Sequence, residues 1–151
     1  MFKKTILPII FLSLLTLDRF IKVFVQQNQN LFNSKFLKLT YNQNSNLFFF
    51  NIPFPILITI SIIGLILITI WFKDAYQQKN QLLKIALLLI ITGGISNFYD
   101  RLFSGFVIDW IWLAILPFSI FNLADIYIAL GVSLVIFSQF LSVKQNKPSK
   151  T

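Results

Sequence analysis

Two amide–carboxylate pairs share one spacing in this chain, Asn97 with Asp100 and Asn122 with Asp125, and a further carboxylate, Asp109, stands between them. On a helix, residues three apart lie on one face, so each pair can present an amide and a carboxylate to a common site. Two carboxylates held close together cannot both ionise easily and tend to share one proton. One can then activate a water as general base while the other protonates a leaving group. The chain contains no His and no Cys, which excludes an imidazole base, a thiol nucleophile, a disulfide and a Cys/His metal centre. Carboxylate chemistry that needs no metal and no cofactor is therefore the most economical catalytic reading.

The same residues have a structural reading. Asn122 at the start of a helix can serve as an N-cap, Asp125 can satisfy the helix dipole, and Asp100 beside Arg101 can form an ion pair. Spacing alone leaves the site and the structural network level.

The setting of these acids sharpens the question. The chain has 151 residues, of which 56% are hydrophobic and 12% charged, against about 25% charged in an ordinary soluble protein. Only 5 residues are acidic, and four of them (Asp18, Asp100, Asp109 and Asp125) lie in or beside apolar runs. An ionised carboxylate within hydrocarbon costs about 2.5–3.5 kcal/mol on insertion scales, so such residues are paired, wet or functional. The expected fold is an all-α polytopic membrane protein: a bundle of four transmembrane helices, about 5–25, 53–72, 82–100 and 121–143, forming one integral membrane domain.

Lysines cluster between the apolar runs: Lys3 and Lys4, then Lys73, Lys79 and Lys84, then Lys144, Lys147 and Lys150. That distribution argues for cytoplasmic loops and against a nucleic-acid stripe. It predicts cytoplasmic N- and C-termini, with segments 26–52 and 100–120 on the opposite side. Asp18 and Lys22, four apart, can pair on one face of the first helix, and Lys84 can snorkel from the start of the third. Residues 37–42 alternate, with Leu37, Leu39 and Tyr41 on one side and Lys38, Thr40 and Asn42 on the other, which predicts a strand in a small extracytoplasmic β-sheet. A disordered Asn-rich loop is the competing reading. The apolar segment 102–119, with Trp110 and Trp112, is expected to be an interfacial loop lying on or dipping into the bilayer.

The block GGISNFYDRLFSGFVIDW at 93–110 resembles, from Asn97 onward, the N-x-x-D-R-x-x-x-G-x-V-x-D-F signature of the lipoprotein signal peptidases, the type II signal peptidases. FNLADIYIALGV at 121–132 resembles their second block, F-N-x-A-D-x-x-I-x-x-G, and the resemblance runs from the first helix to the fourth. It implies an aspartyl endopeptidase that removes the signal peptide from diacylglyceryl-modified prolipoproteins, cutting before the lipidated Cys. It implies Asp109 and Asp125 as the catalytic pair, with Asn42, Asn97, Asp100, Arg101 and Asn122 as supporting and substrate-contacting residues. Asp18 and Lys22 resemble the family's D-x-x-x-K, with a structural role.

Three departures bear on the substrate cradle. Where the family has N-x-G-A-A-F, this chain keeps Asn42 but continues Gln-Asn-Ser-Asn-Leu-Phe through residue 48. Ser96 replaces a glycine that commonly precedes the first Asn, and Trp110 replaces a Phe. The implied partners are the lipid-modified prolipoprotein and membrane lipid, with a monomer in the bacterial cytoplasmic membrane and an active site at its extracytoplasmic face. Two other classes fit the composition: a small proton-coupled transporter and a non-catalytic membrane assembly protein. A proton path would spread acids across the membrane depth, whereas here all but Asp18 and the loop residue Asp74 gather at one expected face.

Overall fold

The computed structural model describes residues 5–45, 52–77, 80–116 and 120–145. Lys3, Lys4, Lys79, Lys147, Lys150 and residues 46–48 of the cradle stretch lie outside the described residues. The chain runs α1 (Ile6–Gln27), β1 (Asn30–Asn33), β2 (Leu37–Asn44), α2 (Phe54–Gln77), α3 (Gln81–Ser104), β3 (Val107–Leu113), β4 (Ile120–Phe121) and α4 (Leu123–Gln145).

Among the described residues, α2, α3 and the Leu123–Leu141 part of α4 are long and apolar enough to cross a membrane. With 22 residues α1 extends for about 33 Å, but Asp18, Arg19 and Lys22 set it apart from the other three. α2 keeps Pro55 in its first turn, where the missing N–H has no intrahelical partner to lose, and the Ile56 and Leu57 amides bond the carbonyl of Pro53, just before the helix. α3 starts at Asn80, whose side chain accepts from the Leu83 amide, and stops at Gly105, whose φ of 80° is a left-handed cap that favours glycine.

α3 is the hub, packing against α1, α2 and α4, while α2 and α4 hardly touch one another. Its apolar stretch is 56% buried against 6% for α2, so α2 turns nearly its whole surface outward, as a lipid-facing helix would. Small residues let α3 and α4 approach: a Cβ on Gly93 would stand 2.3 Å from Ala124 O, and one on Gly131 2.6 Å from Ala86 O. At the opposite end of this pair, Asn80 Nδ2 donates to Ser138 Oγ at 2.7 Å. Lys84 is buried there, its ammonium 5.2 Å from the centre of the Tyr76 ring.

The strands form one antiparallel sheet in the order β1-β2-β3-β4. Segment 102–119, expected as an interfacial loop, thus supplies strand β3, whose edges are paired by β2 on one side and β4 on the other. Apart from Asp109, Val107–Leu113 is apolar at successive positions, buried over 107–109 and half-buried beyond, so it shows no alternation of exposure. β2 departs from simple alternation as well. Leu39 faces Ile111 but Asn42 faces Asp109, so β2 spends three positions where β3 spends two. This bulge moves Asn42 onto the face that regular alternation gives to Tyr41.

Candidate active site

The polar centre starts from Lys22, a fully buried ammonium on α1. Its three protons match three acceptors: Asp18 Oδ2 at 3.1 Å, Asp100 Oδ2 at 2.8 Å and Asn97 Oδ1 at 2.9 Å. Asp18 staples three helices, accepting from Lys22, from the Ser96 hydroxyl on α3 and from the Ala124 amide in the first turn of α4. Ser96, where glycine is common in the resembling family, thus adds a hydroxyl that closes on Asp18.

Asp100 does not pair with its neighbour Arg101. Its partners come from α1: Arg19 Nη1 at 2.5 Å and Lys22. Sequence neighbours on a helix point about 100° apart, so Asp100 turns toward α1 while Arg101 turns toward the cleft. Asp100 Oδ2 also accepts from the Ile108 amide at 3.3 Å, which ties the end of α3 to the strand residue before Asp109. Arg19 further contacts Ser96 O at 3.3 Å and lies 4.7 Å from the centre of the Tyr99 ring.

From Lys22 the network passes through Asn97 to the other two acids. Asn97 Oδ1 accepts from Lys22 and from Asn122 Nδ2, and its Nδ2 donates to Asp125 Oδ1 at 2.8 Å. Asn122 caps α4 in a reciprocal box. The Asp125 amide donates to Asn122 Oδ1, and the Asn122 amide donates to Asp125 Oδ2, both at 3.0 Å. The capping reading is therefore realised, and the same cap fixes the direction of the Asp125 carboxylate. Asn122 Nδ2 also reaches Asp109 Oδ1 at 2.7 Å, so one buried asparagine holds both carboxylates. Asp109 Oδ2 accepts from Asn44 Nδ2 at 2.8 Å across the sheet.

Asp109 is only 1% exposed, and burial pushes its carboxyl up to about 7. The nearby Asp125 charge pushes the same way, while the hydrogen bonds from Asn44 and Asn122 oppose the rise. A carboxyl poised near neutrality suits proton transfer.

These groups close one end of a cleft of about 1230 Å³ between α2, α3, α4 and the sheet. Asn42, Asn44, Asn97, Arg101, Asp109 and Asp125 line its polar end, and Ser61, Leu65, Ile68, Ile90, Ile128 and Val132 its apolar end. Arg101 Nε is buried with no hydrogen-bond partner. Of the residues expected at the site, Asp109, Asp125, Asn97, Arg101 and Asn42 reach the cleft. Asn122 bridges beneath it, and Asp100, Asp18 and Lys22 form the layer behind. Two contributors were missed in the sequence. Asn44 shares the face of Asn42 by the strand period, a signal that was available; Arg19 adjoins Asp18, and nothing local points it at Asp100.

The family model described as signal peptidase (SPase) II matches residues 10–141. The lipoprotein signal peptidase of Streptococcus thermophilus (strain CNRZ 1066) is 35% identical over 145 residues, covering 89% of this chain and 92% of that protein. The lipoprotein signal peptidase of Streptococcus pneumoniae (strain ATCC BAA-255 / R6) is 32% identical over 146 residues, covering 90% and 93%. A solved structure described as a bacterial membrane enzyme superposes with a TM-score of 0.86 at 26% identity, covering 99% of this chain and 96% of that one. A second, also described as a bacterial membrane enzyme, gives 0.79 at 25% identity, covering 91% and 94%. With the match spanning nearly the whole chain and including all four acids of the polar centre, this protein belongs to the signal peptidase II family.

Proposed function

We propose that Asp109 and Asp125 are the catalytic dyad of an aspartyl endopeptidase that frees prolipoproteins of their signal peptides. Removal of the signal peptide is the reaction of the family; the assignment of the dyad rests on one observation above all. Asn122 holds both carboxylates at the polar end of a cleft whose other end is apolar.

Charge supports the pairing. Asp18, Asp100, Asp109 and Asp125 gather with Lys22, Arg19 and Arg101, so four carboxylates meet three cations. One shared proton on the dyad restores neutrality, and the pair titrates as a unit. In the reaction one carboxylate takes a proton from a water while the other protonates the scissile amide nitrogen. Water oxygen bonds to the carbonyl carbon, and collapse of the tetrahedral species breaks the C–N bond. The products are a free carboxylate on the signal peptide and a new amino terminus at the lipidated Cys. Arg101, Asn97 and Asn42 orient the peptide, Asn122 and Asp100 hold the dyad and its strand, and Asp18 and Lys22 brace the helices. No metal or other cofactor has a part in these steps.

All four helices span the membrane as one peptidase domain, α1 included, because its charges face the bundle and not lipid. Both termini are cytoplasmic and the sheet is extracytoplasmic. The gap between α2 and α4 gives a diacylglyceryl group lateral access from the bilayer to the apolar end of the cleft. A monomer contains every group in this scheme. Depletion of the protein tests the function against a transporter or assembly role: uncut diacylglyceryl-prolipoprotein accumulates if the reading holds, and normal maturation on depletion refutes it.

A further inference from the structure

Lys35 and Lys38 are the two lysines on the side that the positive-inside distribution leaves poor in them. Both are exposed, and both sit at one end of the β2–β3 ladder. Lys38 pairs across the sheet with Trp112, its ammonium 4.8 Å from a ring centre of that indole. Lys35 lies 6.0 Å from the centre of the Phe36 ring. The Ala114 amide donates to Phe36 O at 2.9 Å, which brings the turn after β3 alongside Phe36.

That turn and Phe36 beside it expose apolar surface to an unusual degree: Ile115 is 82% exposed and Phe36 70%, with Leu116 next to Ile115. Water is an unfavourable neighbour for such a cluster, and scattered exposure does not account for it, because the residues are adjacent in space. Leu116 also lines the cleft, so the patch and the cleft share a residue. An apolar tip with an indole and two ammonium groups along one edge matches the layered chemistry of a bilayer surface: acyl chain below, anionic phosphodiester at the rim.

We propose that this end of the sheet, Lys35, Phe36, Lys38, Trp112, Ile115 and Leu116, is a docking surface for the outer leaflet, with the two lysines selecting anionic phospholipid headgroups. The inference rests on the extracytoplasmic placement of the sheet given above. Seating the tip in the leaflet brings the cleft mouth level with the depth at which a lipid-anchored substrate presents its modified residue. The positive charge on the outer side is thereby explained as a contact with phosphate, and not as a lapse in topology.

The absence of cysteine makes the test direct. Ile115→Cys in the full chain gives one site for a nitroxide, and the protein is placed in lipid nanodiscs of phosphatidylcholine, with or without phosphatidylglycerol. Collision with oxygen against an aqueous nickel chelate reports immersion of the label. Each lysine near an anionic surface contributes roughly a fivefold preference, so the pair contributes roughly 25-fold. The immersed-to-aqueous ratio of the label is expected to fall by that factor in anionic discs on Lys35→Gln/Lys38→Gln, and to stay unchanged in zwitterionic discs. A label that stays aqueous in both lipids overturns the proposal. So does immersion indifferent to lipid charge and to the lysines, which would leave apolar contact alone. Protection of the label by an acidic peptide such as polyglutamate, but not by anionic lipid, would assign the surface to a peptide instead and overturns it too. Placing the label at Phe36→Cys repeats the measurement at a second exposed position. No cleavage is involved, so an active enzyme with an aqueous label sinks this inference and leaves the dyad assignment standing.

Discussion

Replacing Asn44 with Ala removes one hydrogen bond from the proposed dyad. Its Nδ2 donates to Asp109 Oδ2 at 2.8 Å, and that bond is a principal influence holding down a carboxyl that burial has raised to about 7. A hydrogen bond to an ionised group contributes about 1.5–3 kcal/mol, and one pKa unit corresponds to about 1.4 kcal/mol, so the loss is worth about one to two units. Asn122 still donates to the other oxygen, and the cleft admits water, so the lower end, about one unit, is the working value. The bond favours the ionised form, hence its removal moves the Asp109 titration upward. The assay is the pH dependence of cleavage of a diacylglyceryl-modified prolipoprotein by purified enzyme. If Asp109 is the base, the acid limb moves up by about one unit, and the rate at pH 7 falls roughly fivefold as the ionised fraction drops from about a half to about a tenth. If Asp109 carries the shared proton, the alkaline limb moves up instead. Superimposable profiles, or a downward shift of either limb, refute the assignment of Asp109 to the dyad.

Three further outcomes follow from the supporting layer. Lys22→Met leaves Asp18 and Asp100 without their buried ammonium, and breaking such an arrangement costs about 3–5 kcal/mol; unfolding in detergent should show the loss, and a variant as stable and active as the parent contradicts it. Arg19→Gln loosens Asp100 and with it the Ile108 amide beside Asp109, so kcat is expected to drop roughly tenfold with KM little changed. A fall in melting temperature with unchanged kcat would instead make Arg19 purely structural. Gly93→Val drives a side chain against Ala124 O, a backbone atom that cannot swing aside, at about 1–3 kcal/mol; an unaltered thermal midpoint would show that α3 and α4 are packed more loosely than described.

The sequence displayed the apolar runs and the two Asn–Asp pairs plainly, because hydropathy and the i,i+3 period are local properties. It could not rank Asp100 against Asp109. Their difference arises from α1, distant in sequence, which supplies Arg19 and Lys22 to Asp100 and leaves Asp109 to the amides of Asn44 and Asn122. The resemblance to the signal peptidases, and not spacing, singled out Asp109. Strand β3 escaped for a different reason: apolar residues fill successive positions on both of its faces apart from Asp109, so it lacks the alternation that reveals a strand. The bulge in β2 is likewise silent in the sequence, yet it sets Asn42 opposite Asp109. Asn122 illustrates why capping and catalysis need not compete, since the bonds that start α4 are the ones that aim Asp125.

The central claim is that Asp109 and Asp125 together perform the hydrolysis. Single-turnover cleavage of a diacylglyceryl-prolipoprotein by purified Asp109→Asn and Asp125→Asn enzymes tests it most directly, with folding checked by thermal unfolding in the same detergent. Each variant is expected to remain folded and to cleave about 10²- to 10⁴-fold more slowly than the parent. If either one, correctly folded, still cleaves at close to the parental rate, the dyad is not the catalyst.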